Sequence, residues 1–153
     1  MLWSTIVRRR EILEGGLALA GIGVLTGCTG RSPDHEQHGI QFDTVLNAVD
    51  DLGMDPAGKT AIDAKLQDSL DRGNELIRFP PGEYLVTEDT STESVTNWGI
   101  VGSGSDPSDV RFLNTSGREQ TLIKVDGGSG QLVENVTIDY SRQKSGSTGI
   151  SLR

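Results

Sequence analysis

At 153 residues the chain has room for one modest domain, and 34% hydrophobic content with only 5% aromatic residues and 20 glycines describes many turns around a small core. A net charge of −8 excludes a surface built to collect phosphates, because nucleic-acid binders gather Lys and Arg on one face, so no nucleic-acid partner is expected. The single cysteine, Cys28, rules out an internal disulfide, and no CxxC or His-rich spacing exists to build a zinc site.

The first segment reads as an address. Arg8, Arg9 and Arg10 precede Glu11-Ile12-Leu13, so Arg9-Arg10-x-Ile-Leu resembles the twin-arginine export pattern. An apolar run from Gly15 to Gly27 follows; its 13 residues suit the core of an export signal, whereas a bilayer-spanning helix needs about 20. The run closes in Leu25-Thr26-Gly27-Cys28, which resembles a lipobox. The expectation is an export signal over 1–28 with lipidation at Cys28. That lipid would hold the protein to the membrane, on the outer face of the cytoplasmic membrane or outside the cell. A plain signal peptide with a chance cysteine is the alternative. Removing 1–28 leaves 11 basic and 20 acidic residues, a net charge of −9.

Residues 29–41 are short, polar and broken by Pro33 and Gly39, and are expected to be a linker. His35 and His38 lie in it. Two histidines three apart can share a metal on a helix, but Pro33 and Gly39 disfavour one, so they read as solvated linker residues.

Next, Phe42, Val45, Leu46, Val49 and Leu52 recur at the spacing of one helical face, with Asp43, Asn47, Asp50 and Asp51 opposite. Then Gly53-Met-Asp-Pro-Ala-Gly-Lys-Thr60 fits the nucleotide-gripping pattern G-x-x-x-x-G-K-[ST]. A true phosphate loop follows a buried strand, whereas a helical face and the negative charges of Asp50 and Asp51 precede this one. The motif reads instead as a turn, Asp55-Pro56-Ala57-Gly58, followed by a capping box, Thr60-x-x-Asp63. Behind that box a helix over Ala61–Arg72 carries Ile62, Leu66 and Leu70 on one face and exits at Gly73-Asn74. No nucleotide partner is expected.

After the helix, Ile77 and Phe79 alternate into a core, Pro80-Pro81-Gly82 turns the chain, and Tyr84-Leu85-Val86 begins the next strand. The run from Gly53 to Val86 (G-x-D-P-x-G, a short amphipathic helix, then F-P-x-G-x-Y) resembles the opening of the pectate-lyase-like superfamily, the single-stranded right-handed parallel β-helices. The resemblance implies an all-β solenoid over 42–153, with the helix capping the first open end of the strand stack.

Short strands follow at Trp98–Gly102, Val110–Leu113, Leu122–Val125, Val136–Tyr140 and Ile150–Leu152, separated by Gly, Ser, Asp and Asn. The Trp98 and Asn135 segments, almost forty residues apart with two strands between them, suit successive coils of a three-sheet solenoid. A small antiparallel sandwich or jelly roll is the alternative that strand spacing alone leaves open. The chain stops inside a strand-like segment, so the solenoid is expected to be incomplete at its C-terminus.

Among candidate chemical groups, Asp139 is the acidic residue expected to face outward from a strand, with Arg142 soon after it. Asp106 and Asp109 flank Pro107 as turn formers, and Asn135 is expected to join a ladder of stacked amides at a bend. The resemblance implies a polysaccharide lyase or glycoside hydrolase, enzymes that often use calcium, while no cofactor is read from the residues and none is assigned a catalytic role. A non-catalytic surface module of the same fold, binding glycans or spacing other domains, is the alternative.

Overall fold

The computed structural model describes residues 35–115, 119, 121–141 and 147–153. The expected export signal over 1–28 with Cys28, the expected linker up to residue 34 and Arg142 lie outside the described residues.

The described residues begin with an antiparallel hairpin, β1 (Glu36–Gln37) and β2 (Ile40–Gln41). His38 and Gly39 turn it with φ of 52° and 78°, the paired positive values of a tight two-residue turn. The expected linker over 29–41 is therefore corrected at its C-terminal end. Gln37 donates to the Glu134 carboxylate at 2.6 Å, and the adjoining Phe42 is fully buried, so contacts across the fold order a stretch whose composition reads as tether.

The expected helical face over 42–52 is also corrected. It divides into strand β3 (Thr44–Asn47) and a single tight turn. The Asn47 side-chain oxygen accepts from the amides of Val49 and Asp50, and the Asp51 carboxylate accepts from the Asn47 amide at 2.7 Å. This reciprocal cap starts one turn that ends at Gly53, φ 60°, so the helical spacing never becomes a helix.

Strand β4 (Ala57–Ala61) precedes helix α1 (Asp63–Arg72), and the capping box predicted at Thr60 is absent. Ile62 occupies the cap position without a side-chain bond, while Asp63 reaches away to accept from the Thr87 amide and hydroxyl at 3.0 and 2.7 Å. The buried face is as read: Ile62, Leu66 and Leu70 are 0–1% exposed. Gly73, φ 64°, and Asn74, φ 53°, end the helix.

Strands β5 (Glu75–Phe79), β6 (Gly82–Val86), β7 (Thr90–Thr92), β8 (Val95–Gly102), β9 (Val110–Asn114), β10 (Thr121–Val125), β11 (Gly128–Glu134), β12 (Thr137–Asp139) and β13 (Thr148–Leu152) follow. They join β3 and β4 in three sheets, ordered β3-β5-β8-β11, β4-β6-β9-β12 and β7-β10-β13, and all pairing within them is parallel. The chain visits the three sheets in rotation, so each lap lays one strand on each sheet. In the first lap α1 stands where the third sheet would take its strand: the Gln67 side-chain amide accepts from the Ser91 N–H and donates to the Ser91 carbonyl, both at 3.0 Å, pairing with the edge of β7 as a strand would. This all-β, parallel arrangement excludes the antiparallel sandwich.

One repeat assignment is corrected. Trp98 pairs with Gln131 on β11, a strand the sequence conceals, while Thr137–Asp139 pairs with β9. Strand β11 begins Gly-Ser-Gly, which reads as a turn; a Cβ at Gly130 would stand 2.3 Å from the Asn97 side chain below it, and φ there is 71°.

The core consists of columns of inward residues, one per lap: Leu46, Ile77, Ile100 and Val133 on the first sheet, and Tyr84, Phe112 and Ile138 on the second. Phe79 meets Tyr84 and Phe112 edge-on at ring-centroid distances of 4.9 and 5.0 Å. The buried Tyr84 hydroxyl donates to the Pro80 carbonyl at 2.8 Å, fastening the Pro80-Pro81-Gly82 turn. At the corner after β8, the would-be Cβ of Gly102 lies 1.9 Å from the Asn135 carbonyl oxygen in the next lap. Gly102→Ala should therefore cost about 1–3 kcal/mol by forcing the laps apart; a change below about 0.5 kcal/mol in urea unfolding would refute so tight a stack.

Candidate functional site

The outer face of the second sheet carries Glu83 on β6, Arg111 on β9 and Asp139 on β12. Inward Tyr84 and Phe112 place their neighbours Glu83 and Arg111 outward, and register stacks Glu83, Arg111 and Thr137 in one column and Ala61, Leu85, Leu113 and Asp139 in the next. Arg111 donates through Nη1 to Glu83 Oε1 at 2.8 Å and through Nη2 to Asp139 Oδ2, so one guanidinium bridges carboxylates from the strands on either side. The Ser141 hydroxyl and amide, and after them Arg111, hold the Asp139 carboxyl below its ordinary range, and the Ser141 amide stands 2.8 Å from Oδ1.

Beside this pair lies a cleft of about 160 Å³ lined by Arg111, Leu113, Asn114, Thr115, Asp139 and Ser141. A broader cleft of about 440 Å³ is lined by Ala61 at the end of β4, Asp63, Ala64 and Gln67 on α1, and Glu88 and Asp89 in the connection from β6 to β7. Chemically, the bridged trio is suited to holding hydroxyl groups. The bonds from Ser141 and Arg111 that hold the Asp139 carboxyl below its ordinary range make it a poor general acid and a weakened base.

Asp139 thus faces outward as expected, but its cation is Arg111, 28 positions earlier, and Arg142 lies outside the described residues. Sequence reasoning passed over Glu83 and Arg111, although each sits beside an inward aromatic in Glu83-Tyr84 and Arg111-Phe112. Asp106 and Asp109 cap a short 3-10 turn reciprocally: Asp106 accepts from the Ser108 amide at 2.9 Å, and Asp109 accepts from the Asp106 amide at 3.0 Å. Asn135, φ 53°, donates its amide to the carbonyls of Gly102 and Gly104 at 2.9 and 2.8 Å. Toward the preceding lap it therefore meets backbone carbonyls. His38 stands 3.1 Å from Glu134, and no cluster of three or more His, Cys, Asp or Glu side chains able to hold a metal occurs among the described residues. The calcium implied by the resemblance therefore finds no ligand set among them, and no step is routed through it.

In Gly53–Thr60, the amides of Ala57, Lys59 and Thr60 converge as they would on a phosphate, but the carboxylate of Asp55 fills them at 2.9, 3.0 and 2.9 Å. These bonds, that of Ala57 foremost, lower the Asp55 pKa.

Comparison with protein-family models, curated proteins and solved structures finds no match. Among the described residues no helix is long and apolar enough to cross a membrane.

A carboxyl whose folded pKa is depressed stabilises the fold above its unfolded value, near 3.9 for Asp, and loses that contribution as pH falls through the folded value. Asp55→Ala should thus lower the urea midpoint at pH 7, and the gap from wild type should close by pH ~2. A gap that stays constant with pH would show that the carboxylate's charge has no part in the loop.

Proposed function

We propose that this chain is an exported protein, anchored by lipid at Cys28, whose domain is a right-handed parallel β-helix of the pectate-lyase-like kind and binds polysaccharide on the outer face of its second sheet. The rotation of the chain through three parallel sheets supports the solenoid reading, as does the helix that replaces a strand in the first lap. The twin-arginine and lipobox patterns support export and anchorage.

The observation that carries the binding reading is the Glu83–Arg111–Asp139 bridge beside a polar cleft. It presents fixed donors and acceptors on a rigid sheet, the arrangement that orients hydroxyl-rich ligands at low entropic cost. Hydrolysis of the same polymer would need a carboxylate free of ion pairing. Glu83 and Asp139 lie on strands two apart, and Arg111 bonds to both, standing where the water of a paired-carboxylate hydrolysis would have to stand. The described residues therefore favour a holding role over a cutting one.

Titrating the protein with a panel of polysaccharides in affinity electrophoresis, alongside assays for new reducing ends and unsaturated uronates, separates the two roles. Binding without new ends is expected, and Arg111→Ala should weaken it by about ten-fold, the equivalent of about 1.4 kcal/mol. Release of unsaturated products or reducing ends would reverse the assignment, and retention unaffected by Arg111→Ala would move the site elsewhere.

A further inference from the structure

Independently of the polysaccharide reading, we infer that the hairpin β1–β2 is a strap that opens on its own while the three parallel sheets stay folded, with Glu134 as its latch, and that opening bares an apolar patch on the outer face of the first sheet. The hairpin is a two-stranded sheet with two residue pairs, Glu36 with Gln41 and Gln37 with Ile40, and among the described residues no ladder joins it to the other sheets. So small a unit is marginal in water without something to pack on. At its tip, Gln37 Nε2 donates to Glu134 Oε2 at 2.6 Å, and His38 Nε2 stands 3.1 Å from the same oxygen. At its base, the Phe42 amide donates to the His35 carbonyl at 2.8 Å, and the amides of Asp43 and Thr44 turn to the Asn74 carbonyl as β3 begins. Because β3 and β11 are the outermost strands of the first sheet, the strap crosses its whole width.

Beneath it lies an outward column. Val45, Leu76, Gly99 and Leu132 pair in register, alternating with the inward column that runs from Leu46 to Val133. A Cβ at Gly99 would stand 2.9 Å from Leu132 Cβ and 3.2 Å from Leu76 Cδ1, so the two leucines close over the glycine from either side. Leu76 is fully buried although it faces out, and Phe42 is fully buried too, while neither belongs to the core that fills the space between the sheets. An outward leucine without exposure needs a cover, and the strap with Phe42 at its base is the element on that side.

The latch depends on charge. The bonds from Gln37, then His38, hold the Glu134 carboxyl below its ordinary range, and His38 is charged only when protonated. In the outward column of Glu134 the neighbours are Val101, then Arg78 and Asn47; the hairpin's other titratable groups are His35 and Glu36, whose carboxylate accepts from Gln41 at 2.7 Å. A carboxyl depressed by docking favours the docked strap above its free value, about 4.3 for Glu, and gives up that contribution as pH falls through the docked value.

Hydrogen exchange on the full chain, corrected for intrinsic rates, tests the strap amide by amide. The Phe42 amide and the β1–β2 ladder should exchange at least ten-fold faster than the amides of β5 and β8, and Glu134→Ala should speed them by a further factor of about three to ten while leaving β5 and β8 unchanged. As pH falls from about 6 to about 3.5, the wild-type hairpin should lose protection ahead of β8, a step that Glu134→Ala removes. In a chain carrying Cys28→Ser and Leu76→Cys, labelling of the introduced thiol should quicken by the same factor when Glu134→Ala is added. Equal protection of hairpin and β8, or a Glu134→Ala effect that spreads to β8, would overturn separate opening. An unmoved hairpin in Glu134→Ala, or an acid step that survives it, would overturn the latch. Thiol labelling indifferent to Glu134→Ala would overturn the cover over Leu76.

Discussion

Parallel, in-register pairing sets each residue about 4.8 Å from its counterpart in the preceding lap, and the rest of the domain depends on what such columns tolerate. Inward columns accept only residues that pack on their like, which gives Leu46, Ile77, Ile100 and Val133 one shared line and Tyr84, Phe112 and Ile138 another. Outward columns cannot stack like charges at that distance without cost. Glu83, Arg111 and Thr137 obey this by alternating acid, base and hydroxyl, and Arg111 then leans across to Asp139 in the neighbouring column. The bridged cluster is thus a consequence of sheet register, and the cleft beside it inherits its fixed geometry.

Sheet edges present the second constraint, because unpaired N–H and C=O groups must find partners or water. At β7 the partner is a side chain: Gln67 on α1 offers an amide that copies one peptide unit. Beneath it a buried polar chain ties helix to sheet. Trp98 Nε1 donates to the Ser69 hydroxyl at 3.1 Å, Ser69 donates to Glu75 at 2.6 Å, and Arg72 pairs with the same carboxylate at 2.6 Å. Glu75 is 8% exposed, and its hydrogen bonds supply what burial would otherwise remove. On the first sheet the hairpin reaches Glu134 on β11, 97 positions from Gln37, and the two side-chain bonds there lower the Glu134 pKa. A polar stretch is ordered in this way by a contact its own sequence cannot reveal.

Local chemistry made part of this legible. The apolar face of α1, the Pro80-Pro81-Gly82 turn and the five later strands follow from periodicity and turn residues, since those signals need only neighbours along the chain. Strand β3 was hidden because a strand followed by one capped turn spaces apolar residues as a helix does. Strand β4 was hidden inside a motif that spells a phosphate loop, and β11 behind glycines demanded by close backbone approach. At the site, alternation already pointed Asp139 outward, but the choice of Arg111 as its partner required knowing which strand lies beside β12.

The sequence by itself determined which residues are apolar, the Pro80-Pro81-Gly82 turn and the apolar face of α1, because these depend on side-chain chemistry and steric limits within a few residues. Only the tertiary structure decided the pairing of strands two or more connections apart, the filling of the Gly53–Thr60 amides by Asp55, and the meeting of Glu83, Arg111 and Asp139. The physical reason is that register is a property of two strands together: a hydrogen-bonded ladder fixes it across 28 positions of sequence, and no stretch of chain carries that information alone.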